Sequence, residues 1–198
     1  MFYRILKAVV RPVFYFLFRV RVIGGEDVSF DQGMVMIFNH QSNLDPILSH
    51  LVVPRKKLYL MAKQELFRNP FLRWLITRFG AFPVNRGAGD LGAIKTAFKI
   101  VRRGDILGIY PEGTRSKDGR IAPFQHGVAM IATRLQVPVL PVYFSRKLRP
   151  FRRCYVVLGT PIDLKARLDP ALSDTESMRS ASRLLRDEMI ALSEKVPR

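Results

Sequence analysis

MVMIF, residues 34–38, runs directly into NHQSNLDP, residues 39–46, and this junction sets the architecture. Five successive apolar residues without alternation read as a short strand buried on both faces rather than as a helix. Such a strand needs covering layers on each side, and the alternation of strands with helices along the chain favours an α/β protein. Asn39 stops the run, and Asp45-Pro46 reads as a helix start, with proline at a first-turn position where its missing N–H costs nothing. The pattern repeats outward. Residues 106–110 (ILGIY) form a second apolar run halted by Pro111. Residues 137–144 (VPVLPVYF) form a third, whose two prolines require an edge, a strand start or a bulge. A fourth lies at Tyr155–Leu158.

Helical patterns fill the intervals. Asp90 is placed to cap a helix with Leu91, Ile94, Phe98 and Val101 on its apolar face and Gly104 beyond its end. Residues 127–135 give a short helix. Ser173 and Glu176 have capping-box spacing ahead of a terminal amphipathic helix carrying Met178, Leu185, Met189 and Leu192. The expected fold is α/β, a central mixed or largely parallel sheet flanked by helices. An N-terminal membrane-associated helical segment at 1–22 precedes a single domain at 23–198.

Composition narrows the partners. The chain has 198 residues, a net charge of +17 and 48% hydrophobic residues, including 14 Phe. That much apolar content excludes a disordered polycation, because it can bury enough surface to offset the entropy of ordering. Strong positive charge with so much Phe suits an anionic lipid surface, while nucleic acid remains the alternative from charge alone. Twelve basic and two acidic residues lie between Arg55 and Arg103, enough to follow a phosphate backbone, but no helix-turn-helix, zinc spacing or RNP-like pattern accompanies them. The single cysteine, Cys154, excludes an intrachain disulfide and reads as a buried thiol at a strand start. Three histidines and one cysteine show no ligand spacing, so no metal or organic cofactor is expected.

Residues 1–22 are rich in aromatic and aliphatic side chains but contain Arg4, Lys7, Arg11, Arg19 and Arg21. The longest charge-free run, Pro12 to Phe18, falls far short of the ~20 residues that span a bilayer. A secretory signal fits poorly, because Arg11 and Pro12 break the apolar stretch and no small-residue cleavage site follows. An interfacial helix remains, with a helix packed on the protein's own core as the alternative.

Three segments carry groups capable of chemistry. His40 and Asp45 follow the first strand, where ligands bind in α/β sheets. An imidazole there can take a proton from a hydroxyl while a carboxylate on its other nitrogen fixes the tautomer and stabilises the imidazolium. A substrate that brings its own hydroxyl would make a protein serine unnecessary. The competing reading makes Asp45 a helix N-cap and His40 an ordinary loop residue. Tyr110-Pro111-Glu112-Gly113-Thr114-Arg115-Ser116 also follows a strand end. Gly113 there permits a tight turn, and Arg115 offers a forked donor for phosphate. Residues 80–87 (GAFPVNRG) set Arg86 among turn formers.

Together and in this order, these blocks resemble the lysophosphatidic acid acyltransferase family of the glycerolipid acyltransferase superfamily, over about residues 20 to 160. NHQSNLDP is similar to its H-x4-D block, GAFPVNRG to its second, YPEGTRS to its third and VPVLPV to its fourth. The resemblance implies that His40 is the general base and Asp45 its orienting partner. It implies an acceptor-phosphate site built from Arg86, Glu112, Gly113, Thr114 and Arg115, with Asn39, Phe124, His126, Pro138 and Pro141 as further site positions. The two prolines would help form a wall for the acyl chain.

The implied reaction moves a fatty acyl group from an acyl-CoA or acyl carrier protein thioester to 1-acyl-glycerol-3-phosphate, giving phosphatidic acid. It would occur at the cytoplasmic face of the cell membrane, on a peripheral or monotopic enzyme. The implied partners are an anionic membrane surface, a lysophospholipid acceptor and the thioester carrier, with no nucleic acid. Another lysophospholipid, a glycolipid or glycerol 3-phosphate is the alternative acceptor. One departure stands out: the family commonly carries lysine in an F-K-x-G element, where this chain has Phe124-Gln125-His126-Gly127, so the cation is absent or replaced by His126.

Overall fold

The computed structural model describes residues 2–53, 56–85 and 90–197. Helix α1 (Phe2–Leu17) leads into β1 (Val20–Ile23), β2 (Met34–Phe38), α2 (Asp45–Val52) and β3 (Leu58–Lys63). A 3-10 turn (Gln64–Phe67) and α3 (Pro70–Arg78) precede β4 (Ala81–Val84), α4 (Leu91–Arg102) and β5 (Ile106–Ile109). The chain continues through α5 (His126–Leu135), β6 (Val139–Phe144), β7 (Cys154–Leu158), the short α6 (Leu164–Arg167) and α7 (Asp174–Glu194).

The seven strands form one mixed sheet in the order β1-β7-β6-β2-β5-β3-β4, and every neighbouring pair is parallel except β6 with β7. β2 is central and buried at all five positions, as its uninterrupted apolar sequence requires. Its side chains alternate between two cores. Val35 and Ile37 pack under α4, α5 and α7 with Ala97, Val128 and Leu185. Met34, Met36 and Phe38 face α1 and α2 through Phe14, Leu48 and Leu51. The chain from β2 reaches β3 through α2 on one face, whereas β5 reaches β6 in the opposite direction through α5 on the other. Crossovers of one hand running in opposite directions put their helices on opposite faces. The loops leaving adjacent β2 and β5 therefore diverge, opening a crevice at the carboxyl edge of the sheet. Both principal motifs emerge there.

β6 is an interior strand, yet it tolerates its prolines. Pro138 precedes its first residue. Beyond Pro141 the antiparallel register shifts: Val142 pairs with Leu158 but Val139 bridges Ile162, three residues on one side against four on the other. That bulge falls where Pro141 lacks an N–H, and its carbonyl still accepts from Gly159 N at 2.9 Å.

Three sequence expectations need adjustment. Asp90 does cap α4 by accepting from Ala93 N, but the buried face is Ala93, Ala97, Ile100 and Val101, with Leu91 exposed. Small residues on that side let α4 lie close to the sheet. The aromatics set among basic residues between Met61 and Phe82 read from sequence as mostly core, with some able to line a membrane face, but α3 has no buried residue and exposes Phe71 and Trp74. The anticipated boundary at 22/23 falls inside β1, which pairs with β7. Helix α1 packs Phe14, with Phe18 just beyond its end, into the core while Val9, Val13 and Phe16 stay exposed on its other side. No described helix is long and apolar enough to cross a membrane. The capping box at Ser173 and Glu176 forms as its spacing predicts.

Candidate active site

Asp45 is the first residue of α2, and Leu44 holds the N-cap position without a side-chain cap. The Asp45 carboxylate turns back over the loop instead of capping the helix. Its Oδ2 accepts from His40 Nδ1 at 2.9 Å and from the backbone N–H groups of Gln41 and Ser42 at 2.6 Å each. Two fixed amide donors make Oδ2 an acceptor, so the proton of the third bond belongs to His40 Nδ1. The other ring nitrogen, Nε2, is thereby left with its lone pair, and it has no hydrogen-bond partner among the described residues. The His40 side chain is 16% exposed against 1% for Asp45, so the imidazole edge is reachable from the crevice and the carboxylate is not.

The loop after β5 grips this arrangement. Glu112 Oε1 accepts from His40 N at 2.8 Å and Oε2 from Ala122 N at 3.0 Å, while Ser116 N donates to the His40 carbonyl at 2.8 Å. Both backbone polar groups of His40 are therefore held by the Glu112–Ser116 segment. Burial pushes the Glu112 carboxyl above its ordinary range, against the opposing pull of the Ala122 and His40 amides. With both oxygens engaged by main chain, Glu112 positions the loops and is poorly placed to carry protons. Gly113 adopts φ +71°, a left-handed turn that a side chain would strain. Arg115 Nη1 donates to Asn43 Oδ1, which brings its exposed guanidinium over the loop that bears His40. Thr114 is exposed beside it, its hydroxyl donating to the Arg115 carbonyl.

Tyr110 and Ser49 complete the cluster, and the sequence pattern assigned neither a role. The Tyr110 ring lies 4.3 Å from that of His40, centroid to centroid and tilted by 31°. Ser49 Oγ donates to the Asp45 carbonyl at 2.9 Å, so the 2.7 Å contact between Ser49 and Tyr110 is a bond donated by the phenol. Burial raises the phenol's pKa well above its ordinary value and keeps that donor protonated. Ser49 was legible in principle, since it stands one helical turn beyond Asp45. The long-range ring contact was not.

The remaining expected positions fall elsewhere. Asn39 is buried and bonds the Phe144 backbone twice, donating to its carbonyl at 3.0 Å and accepting from its N–H at 2.7 Å. It clamps β2 to β6 rather than facing the crevice. Pro138, whose carbonyl accepts from Val35 N, lies at the opposite edge of the sheet, and Pro141 pairs with Ile37 in the middle. Neither proline is brought to the His40 cluster. Phe124 is a core residue. His126 Nδ1 pairs with Ser182 Oγ of α7 at 3.2 Å, tying two helices together. Gln125, not His126, adjoins the motif loop: its N–H donates to the Pro111 carbonyl, and its Cγ would lie 3.5 Å from a Cβ at Gly113. Arg86 lies outside the described residues. No cluster of His, Cys, Asp and Glu among the described residues has the makings of a metal site. Cys154 is buried, and burial pushes its thiol up, consistent with a structural role.

A basic imidazole held by a buried carboxylate, with an arginine beside it, is equipped to activate a hydroxyl on an anionic substrate. The chain is also similar to known acyltransferases. The chain is 28% identical over 148 residues to a 1-acyl-sn-glycerol-3-phosphate acyltransferase of Bacillus subtilis, covering 72% of this chain and 73% of that protein. It is 32% identical over 131 residues to a chloroplastic 1-acyl-sn-glycerol-3-phosphate acyltransferase of Brassica napus, covering 65% of this chain and 38% of that protein. The crystal structure of the 1-acyl-sn-glycerophosphate acyltransferase PlsC from Thermotoga maritima shares the fold, with a TM-score of 0.71 at 24% identity over 99% of this chain and 80% of that one. The sequence model of the Acyltransferase family matches residues 19–145, a span that runs from β1 through β6 and contains both interlocked loops. On that match the chain belongs to the Acyltransferase family.

Proposed function

We propose that this chain is a 1-acylglycerol-3-phosphate O-acyltransferase working at a membrane surface. The observation that carries the reading is the 2.9 Å bond from His40 Nδ1 to a carboxylate oxygen already held by two backbone amides, which leaves Nε2 as a base. Two relatives similar in sequence to this chain are themselves named 1-acyl-sn-glycerol-3-phosphate acyltransferases.

In the proposed reaction the free hydroxyl of the lysophospholipid approaches His40 Nε2 and gives up its proton as its oxygen adds to the thioester carbonyl carbon. The new C–O bond forms and the carbonyl electrons move to oxygen. When the tetrahedral intermediate collapses, the C–S bond breaks, and the departing thiolate takes the proton from the His40 imidazolium. Asp45 stabilises that imidazolium without accepting its proton. The products are phosphatidic acid and the free thiol of coenzyme A or acyl carrier protein, and no cofactor is consumed. Arg115 is the proposed partner of the acceptor phosphate, joined by Arg86. The exposed stripe of α1 would rest in the headgroup boundary on the cytoplasmic face, with Arg11 and Arg19 toward lipid phosphates.

The direct test is acyl transfer from a labelled thioester to a panel of acceptors with and without phosphate. His40→Ala should lose at least about 100-fold in turnover, the lower end of what a positioned general base supplies. Turnover near the parent's would remove the mechanism.

A further inference from the structure

The segment from the 3-10 turn through α3 is built unlike the other described helices. Neither element buries a single residue. α3 is nonetheless well formed, with Asn69 accepting from Leu72 N at its start and Pro70 in its first turn. Its inner side, including Leu75 and Ile76, is half-buried, while its outer side presents Phe71 at 72% exposure and Trp74 at 51%. Those two rings lie 6.3 Å apart and nearly parallel, three residues apart on one face. Leu66 of the preceding turn is also exposed.

Charge around this patch has one sign. Arg68, Arg73 and Arg78 are exposed, with the Arg78 guanidinium 5.7 Å over the Trp74 ring. The only acid in the segment, Glu65, pairs with Lys63 at 3.0 Å. Large apolar rings bordered by arginines match the layering of an anionic bilayer, where rings occupy the headgroup boundary and guanidinium groups meet phosphate. An isolated apolar patch would leave its occupant open; the arginine border supplies the complementarity that selects anionic lipid.

Two further features support this surface. Phe79, at the end of α3, packs 5.8 Å from the His50 ring, and His50 in turn meets Tyr3 of α1 at 5.9 Å. α3 is thus buttressed through α2 against the helix whose Val9, Val13 and Phe16 are exposed. β3, which leads into the segment, ends at the same sheet edge as β2, the edge that carries His40.

We propose that residues 64–79 form a second lipid-contacting surface, with Phe71 and Trp74 lying in the boundary of an anionic bilayer and Arg68, Arg73 and Arg78 on its phosphates. This rests on the membrane-surface reading above and adds where the bilayer meets the catalytic edge. A lysophospholipid seated there would present its headgroup beside the crevice without leaving the membrane.

Trp74 is the chain's only tryptophan, so its fluorescence reports this surface alone. The full chain is mixed with vesicles of phosphatidylglycerol and phosphatidylcholine, and binding is followed separately by co-sedimentation. The expected result is a blue shift of Trp74, protection from acrylamide and quenching by lipids brominated near the headgroup. Phe71→Ser with Arg73→Glu, at exposed positions that leave the core untouched, should weaken partitioning about tenfold. Co-sedimentation with an unchanged Trp74 signal would overturn the second surface while leaving the membrane reading intact. Failure to sediment with anionic vesicles would overturn both. A shift that tracks protein concentration without lipid would assign the patch to contact between copies and overturn the proposal, as would undiminished partitioning of the double variant.

Discussion

Replacing Asp45 by Asn exchanges one carboxylate oxygen for an NH2 group at the centre of the cluster, and the surrounding donors dictate how the new side chain must sit. Oδ2 faces three of them: His40 Nδ1 and the amides of Gln41 and Ser42. An asparagine must therefore present its oxygen there, because an amide nitrogen would confront two fixed N–H groups. The tautomer of His40 is preserved, and the loss is electrostatic. A carboxylate and an imidazolium about 4 Å apart between charge centres interact by about 4 kcal/mol at an effective dielectric of 20. Removing that stabilisation predicts a fall of about 10² to 10³ in kcat, the lower figure allowing for solvent at the partly exposed imidazole. KM should change little, since Asp45 does not reach the substrate. The second effect is on folding. The displaced amide group occupies the place of Oδ1, which is buried and has no hydrogen-bond partner among the described residues. An unsatisfied buried donor there costs about 1–3 kcal/mol, so the variant should unfold at lower urea concentration. Kinetics are read by trapping the released thiol with a chromogenic disulfide under conditions where the variant is folded. A kcat within tenfold of the parent would refute the argument, because the pair would then not be supporting charge at His40.

Two other perturbations test separate parts of the structure. Arg115→Gln should raise KM about 10- to 100-fold for phosphate-bearing acceptors, the weight of a charged hydrogen bond, with little effect on acceptors lacking phosphate; equal losses on both classes would take Arg115 off the phosphate. His50 is buried between Tyr3 and Phe79, and burial first, then the charges of Lys7 and Lys57, lower its pKa from 6.5 to about 3. Between those values the unfolded chain binds the proton and the folded chain does not, so stability falls as pH drops below about 6.5. About 2 kcal/mol should be lost between pH 7.5 and 5, measured by urea unfolding, and His50→Gln should remove most of that slope. A parent and variant with the same slope would show that His50 is not held neutral.

The role of Glu112 illustrates how a motif and its structural meaning differ. Sequence places a carboxylate two residues beyond a strand, and the family resemblance implies that it shapes the acceptor-phosphate pocket. The fold instead uses both oxygens on backbone amides, one belonging to His40 itself. Asp45 shows the reverse. Its position at the start of a helix favours capping by local rules, yet its carboxylate serves the loop before the helix, because three donors there outcompete the helix amides.

Properties set by neighbours along the chain could be read directly from the residues. The unbroken run at residues 34–38 required a central strand covered on both faces, the capping box required a helix at residue 174, and the five-residue spacing from His40 to Asp45 allowed one loop to close on itself. Order along the chain also carried the family. Relations between residues far apart emerged only on folding: the loops after β2 and β5 interlock through Glu112 and Ser116, Tyr110 stacks on His40, and Pro138 lies at the far edge of the sheet. The outward orientation of α3 belongs with them. An aromatic at helical spacing carries the same local signal whether it enters a core or a bilayer. Only the folded arrangement shows that, among the described residues, Phe71 and Trp74 stay exposed rather than packed in the core.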